Sequence, residues 1–346
     1  MENNAEFDRI MQQIRSGLTG DAKTDLPYLQ AQCRQYAGHP QGAEILRACG
    51  RMIFEALPEK EKAAYAQAMR ADDAGIGAAL QQARLHIAAK EFQKAQALLE
   101  PLVRDVEEKG LFQDDRNSEY HTFREPFEEL LYRFRNQPQK ELRSASVPLS
   151  ELYLLYGILL VDLNRLPAAR KALRDALRWN PVDFRIHAEY IETYKLAGDL
   201  DSFFRFTLAA FKIAFRPGDL ARCYRNLGYY FIEKELYAEA MGCFLLSLRH
   251  EMNSKQAMSE MRYIQITTGG RVPQPSPKEV EGYGVKYGFP TQPDRDILGL
   301  SYHLGRQAME EKAYSKAGYF LRITYALTKD PNIKQLLDSF PQSAAE

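Results

Sequence analysis

Arg222, Arg225, Asn226 and Tyr229 fall within about two turns of one helical pattern, with Tyr229 four residues beyond Arg225. Two guanidinium groups beside an amide and a phenol suit one kind of chemistry, the holding of a carboxylate or an acidic, extended peptide through charged hydrogen bonds. The alternative is a solvated helix face on which arginines pair with Glu192 of the same chain. Nothing of similar density points to catalysis. The chain has no GxSxG, no Rossmann fingerprint and no paired motif for nucleophilic chemistry. Gly282, Gly284 and Gly288 neither follow a strand pattern nor open a GKS/T, so they do not read as a phosphate loop. Carboxylates are plentiful, but a charged exposed face is the ordinary condition of a soluble helix.

The four cysteines, Cys33, Cys49, Cys223 and Cys243, include no CxxC and suggest neither zinc nor a disulfide framework. They read as buried or half-buried free thiols of a reducing compartment, and Cys223 and Cys243 lie on the two helices of one predicted hairpin. His187, His250 and His303 sit on helical patterns without HxxxH or HExxH spacing, so no metal and no cofactor is expected. Lys plus Arg equals Asp plus Glu, 46 each, which argues against a dedicated nucleic-acid binder. No stretch approaches the ~20 apolar residues that span a bilayer, so no membrane partner is expected. The acidic start, MENNAEFD, has no apolar run behind it, and the expectation is a cytoplasmic protein.

A repeat must position the Arg222 group. From Ser150 to Pro181 the chain reads SELYLLYGILLVDLNRLPAARKALRDALRWNP, with Gly157, Ala169, Leu173, Ala176 and Pro181 as fixed points. The spacing returns at Gly228, Ala240, Phe244 and Ser247, and again at Gly305, Ala317, Leu321 and Thr324. A recurrence of about 34 residues marks a repeat architecture. Each copy holds two apolar-periodic stretches around a short polar break, so two helices must pack antiparallel. Glycine and alanine let the axes approach, while Leu173, Phe244 and Leu321 fill the gap towards the next pair. One hairpin cannot bury its apolar face alone, so neighbours stack.

This pattern resembles the tetratricopeptide repeat family, of the bacterial type. Tyr156-Gly157, Leu227-Gly228 and Leu304-Gly305 stand where that family has Leu-Gly, and Pro181 where its repeat-ending proline falls. Two weaker copies fit the register. One carries Ala83, Ala95, Leu99 and Leu102; the other carries Tyr194, Phe203, Thr207 and Ala210 and ends near Pro217. Bulky Ile191 and Phe203 predict splayed helices in the second of these. The resemblance implies an all-α, right-handed superhelical solenoid of antiparallel helix hairpins, whose first helices line a concave groove. By that register the groove presents Arg185, Glu189 and Glu192, then Arg222, Arg225, Asn226 and Tyr229, and finally Tyr302, His303 and Arg306. Chaperone-binding members clamp a C-terminal carboxylate with Lys and Asn on one first helix. Here Leu154 and Ile158 occupy that helix, and no such clamp is expected.

Three segments stand outside the repeats. Residues 1–74 read as an N-terminal helical cap or bundle, with helices expected over 6–18, 26–36, 41–57 and 59–69. A degenerate repeat follows over 75–103. Residues 104–149 form an insertion whose Phe123, Phe127, Leu130, Leu131 and Phe134 share one helical face, with a helix starting at Glu125 because Pro126 fits only a first turn. That helix, over 125–136, is predicted to cover Leu154, Leu155, Ile158 and Val161. Three repeats occupy 150–252. A second insertion, 253–297, carries a helix over 254–266 and a short one opened by Ser276-Pro277 before a Pro-, Gly- and Tyr-rich loop. The last repeat and a C-terminal capping helix fill 298–346.

The expected function is therefore a non-enzymatic scaffold or adaptor that binds a protein or peptide partner, with an acidic segment as the best fit. The alternative is a regulatory or sensor subunit that holds a small peptide or metabolite in a pocket closed by the insertions. A third reading, an enzyme using the 282–290 loop, requires a closed pocket with convergent ionisable groups. An open groove favours the first reading and a closed pocket the second. Incomplete solenoid ends make self-association a further possibility.

Overall fold

The computed structural model describes residues 2–109 and 112–340, with the side chains of 2–5, 43, 63–74 and 109 excepted. Gly110 and Leu111 of the first insertion, and 341–346 after the C-terminal capping helix, lie outside it. Three hairpins are each built around a missing side chain. In α7 (Leu149–Asp162) and α8 (Leu166–Trp179), a Cβ on Gly157 would lie 2.6 Å from Cγ of Leu173. In α11 (Pro217–Glu233) and α12 (Tyr237–His250), a Cβ on Gly228 would meet the Phe244 ring at 2.5 Å. In α15 (Arg295–Glu310) and α16 (Tyr314–Thr328), Gly305 meets Leu321 at 2.6 Å in the same way. Ala169, Ala240 and Ala317 are fully buried opposite.

The link between the two helices is also repeated. Asn164, Glu235 and Lys312 adopt left-handed φ values of 57°, 59° and 58°. So do Lys90 (59°), between α4 (Glu59–Ala88) and α5 (Phe92–Lys109), and Gly198 (70°), between α9 (Phe184–Leu196) and α10 (Leu200–Ala210). In each case the left-handed residue's N–H bonds the carbonyl three residues back and the next N–H reaches five back, as Asn164 to Val161 and Arg165 to Leu160. That arrangement satisfies the carbonyls a helix leaves open at its end. The two weak copies share this link geometry with the other three. α9 and α10 meet less closely than α7 and α8, with Ile191 and Phe203 both buried where a glycine and an alanine would let the axes approach.

Successive helices from α4 to α12 stack in chain order, with the insertion set between α5 and α7. First helices also touch across copies: α4 with α7, α7 with α9, and α11 with α13 (Lys255–Thr267). This is an all-α helical-repeat solenoid. A sixth link lies where the sequence reads as an insertion: Gly269 has φ 61°, its N–H bonds Ile266, and the Gly270 N–H bonds Gln265. The second helix is then delayed until α14 (Pro277–Tyr287), which opens on a capping box between Ser276 and Glu279. α14 packs on α12, where the space at Gly242 admits Val280.

The N-terminal helices α1 (Glu2–Ser16), α2 (Ala22–Tyr36) and α3 (Gly42–Ala56) share a separate core around Ile14, Leu29, Ile45 and Cys49. α4 differs from expectation. It is one 30-residue helix, running from the cap region into the first repeat, with Gly75 and Gly77 inside it.

The first insertion also holds strands that helical periodicity did not reveal. β1 (Ser118–His121) and β2 (Glu141–Ser144) pair in parallel around α6 (Pro126–Asn136), with Ser118 opposite Glu141. α6 begins where Pro126 places it. The predicted cover over α7 is incorrect, however. Leu154 and Leu155 are buried with Leu80, Ala83 and Val103 of the preceding hairpin, while Phe127 and Leu131 belong to a different core. Phe127 lies 5.0 Å from Phe215 and 6.3 Å from Phe320, ring to ring. α6 therefore wedges between the turns that join successive repeats and the α15–α16 hairpin. Charged groups fasten both ends: Tyr319 Oη donates to Glu125 at 2.9 Å, Arg216 pairs with Glu125, and Arg135 donates to Asp294 at 2.7 Å. α17 (Pro331–Asp338) closes the described chain.

Candidate binding surface

α4, α7 and α9 touch in succession, and side chains bridge α9 to α11, so charged residues of these first helices line up in one strip. The strip is crossed by ion pairs between neighbouring helices. Glu151 of α7 accepts from Arg84 of α4 and from Arg185 of α9, the latter at 2.9 Å. Arg185 is also gripped by Asp183, at 2.6 Å, which caps the same helix and is fully buried. Burial works against the guanidinium charge, but the hydrogen bonds and charges of Asp183 and Glu151 outweigh it and raise the pKa. One step on, Glu189 of α9 accepts from Arg222 of α11 at 3.3 Å.

The next step is aromatic. Lys195 pairs with Glu192 at 3.8 Å, and its ammonium stands 4.3 Å over the ring of Tyr229. Tyr229 meets Phe203 edge-on at 5.7 Å. Burial, and then Glu233 beside the phenol, raise its pKa. A lysine over an aromatic face flanked by carboxylates presents charge of both signs beside a ring.

The Arg222, Arg225, Asn226 and Tyr229 group divides. Arg222 and Tyr229 belong to the strip. Arg225 turns to the junction of α12 and α13, where it donates to Glu251 at 2.5 Å, Ser247 at 3.3 Å and Ser254 at 3.4 Å, with only 14% of its side chain exposed. Asn226 points to Thr207 of α10 at 3.5 Å. The two arginines thus make no joint cation site. Tyr302, His303 and Arg306 lie on α15, on the hairpin fastened by α6; Tyr302 is 41% exposed and His303 and Arg306 are exposed. Register alone did not separate them from the α9–α11 set.

Sequence reasoning missed Arg84, Glu151 and Lys195. The signal was present in part: Lys195 lies three residues beyond Glu192, and Glu151 occupies the first turn of α7. Further along, α13 exposes Met258, Tyr263 and Ile266. Among the described residues, α6 sits at the inter-repeat turns and α14 lies on the second helix α12, while Arg124 of the first insertion comes within 3.9 Å of Asp183 beside Arg185. An open cleft of about 560 Å³ lies elsewhere, between Phe211, Lys212 and the 288–296 segment. Among the described residues no group of three or more His, Cys, Asp or Glu is placed to hold a metal ion. Among the described residues, too, no helix is long and apolar enough to cross a membrane.

No family model and no curated protein matches the chain. Among solved structures, one described as the crystal structure of the APC/C hetero-tetramer Cut9-Hcn1 is similar at 12% identity, with a TM-score of 0.32. The match covers 98% of this chain and 65% of that one, so this chain spans less than two thirds of that chain's length.

Proposed function

We propose that the chain is a non-enzymatic scaffold whose first-helix strip binds an extended segment of a protein partner. The observation that carries this is the continuity of the strip. Glu151–Arg185 bridges α7 to α9, and Glu189–Arg222 with Glu192–Lys195–Tyr229 bridges α9 to α11, while the described insertion helices α6 and α14 pack against other elements. The longer Glu189–Arg222 and Glu192–Lys195 pairs, at 3.3 and 3.8 Å, are partly exposed. Pairs of that kind contribute about 0–1 kcal/mol, so a ligand carboxylate or guanidinium exchanges with these two at small cost, while Arg185 stays held by Asp183 and Glu151. A partner with alternating charge fits better than a uniformly acidic one, because carboxylates and cations alternate along the strip.

The test is capture from native-source lysate by wild type and by a Lys195→Glu/Arg222→Glu variant of unchanged helicity. Arg225 is left intact, since its reversal would break the α12–α13 junction. A protein held by wild type and released by the variant supports the reading; equal retention contradicts it. A small-ligand reading retains one footing, the cleft beside Phe211 and Lys212, where a peptide end or metabolite would meet Lys212 and Asp294.

A further inference from the structure

The segment that walls the cleft beside Lys212 has a second side. Gln292 and Pro293 also line a pocket of about 450 Å³, set where the last turn of α12, the first turn of α15 and the end of α16 meet. Arg249, Arg295 and Lys329 reach it from those three elements, and no carboxylate lines it. Among the described residues no carboxylate comes within ion-pairing distance of any of the three, although the chain as a whole carries 46 acids for its 46 Lys and Arg. The acids beside them in sequence are engaged elsewhere. Asp294 holds Arg135 and Lys212, Glu251 holds Arg225, and Asp330 caps α17.

Helix ends account for part of this. A cation near a helix C-terminus is favourable, which suits Arg249 and Lys329 at the ends of α12 and α16. Arg295, however, is the first residue of α15, where the dipole disfavours a cation. The charges also converge: after burial, Arg249 and then Lys329 hold the pocket's His250 neutral. Leu298 and Leu327 add an apolar wall. We propose that this pocket binds a small organic phosphate, with the phosphate among Arg249, Arg295 and Lys329 and the carbon skeleton against Leu298 and Leu327. A tetrahedral oxyanion accepts from several directions at once, and guanidinium forks match its oxygens. The volume is that of a small-molecule site. None of the first-helix strip's residues takes part, so the site stands or falls apart from the scaffold reading. A ligand held there ties α12 to both helices of the last hairpin.

The test titrates the folded full chain at low salt with phenyl phosphate and, separately, with inorganic phosphate. It follows the His250 imidazole by NMR, the signal being assigned by its absence in His250→Gln. Phenyl phosphate is expected to move that signal saturably, and inorganic phosphate to bind about tenfold more weakly, because it leaves the apolar wall bare. Arg249→Gln/Lys329→Gln is expected to weaken phenyl phosphate by about tenfold or more, while Lys212→Gln, in the neighbouring cleft, leaves it unchanged. All three substituted side chains are exposed, so these variants keep the fold. No saturable shift, equal affinity in the double variant, or a loss matched by Lys212→Gln would overturn the proposal. Equal affinity for the two phosphates would also overturn it, since the apolar wall would then take no part.

Discussion

Gly228 and Phe244 touch so closely that the methyl group an alanine would add lies 2.5 Å from the ring's Cζ. Phe244 is 1% exposed and cannot swing away. Gly228→Ala gains helix propensity, up to about 1 kcal/mol, and overpacks a rigid contact at about 1–3 kcal/mol. The expected net is a loss of about 1–2 kcal/mol in urea unfolding. A variant equal to or more stable than wild type would mean that α11 and α12 stand further apart.

The left-handed links make the opposite prediction. Glu235 pays for φ 59° with a side chain that prefers negative φ, and the position needs none of its atoms for the turn. Glu235→Gly is expected to raise stability by about 0.5–1 kcal/mol, and Glu235→Val to lower it by more. Thermal melts of the two variants decide this; the same sign for both would contradict the shared link.

The strut α6 predicts a selective effect. Phe127 is fully buried between Phe215 and Phe320. Phe127→Ala is expected to cost about 3–5 kcal/mol. Hydrogen exchange would show where: amides of α15 and α16 should open first, with α1–α3 unchanged. Uniform acceleration would show that α6 does not specifically hold the last hairpin.

The pH dependence has a definite sign at His250, which stacks 5.8 Å from Tyr224. Burial, with the charges of Arg249 and Lys329, lowers its pKa from 6.5 to about 4. The unfolded chain therefore takes the proton first. Stability from neutral His250 is complete above about pH 6.5 and is lost as the pH falls towards 4. His250→Gln should lose less melting temperature than wild type between pH 7.5 and 4.5. Equal losses would show that the imidazole is not held neutral.

Much of this was legible because steric rules act over short spacing. Gly157, Gly228 and Gly305 marked where two helices come close, although the side chain each admits is Leu173, Phe244 or Leu321, expected to fill the gap towards the next pair, and Pro126 fixed the start of α6. What was not legible depended on distant packing. Nothing local shows that Phe127 fits between Phe215 and Phe320, so the cover over Leu154 was assigned to the wrong helix. Gly75 and Gly77 obscured the continuity of α4, since glycine weakens a helix without ending it when its neighbours supply propensity. The delayed second helix after Gly269 hid the recurring left-handed link inside a segment that reads as an insertion, and four-residue β1 and β2 are too short for periodicity to reveal. At the binding strip, register placed Arg222 and Tyr229 on α11, but whether Arg225 faced outward depended on Glu251, Ser247 and Ser254, which a neighbouring turn supplies.

The first-helix strip, rather than the second-helix face, is proposed to meet the partner. A photo-crosslinking residue placed at Glu192 or Tyr263, and as a control at exposed Arg174 of α8, tests it in native-source lysate. The account predicts one discrete adduct from Glu192 and Tyr263, suppressed by Lys195→Glu/Arg222→Glu, and none from Arg174. An adduct from Arg174 alone, or one indifferent to those charge reversals, would contradict it.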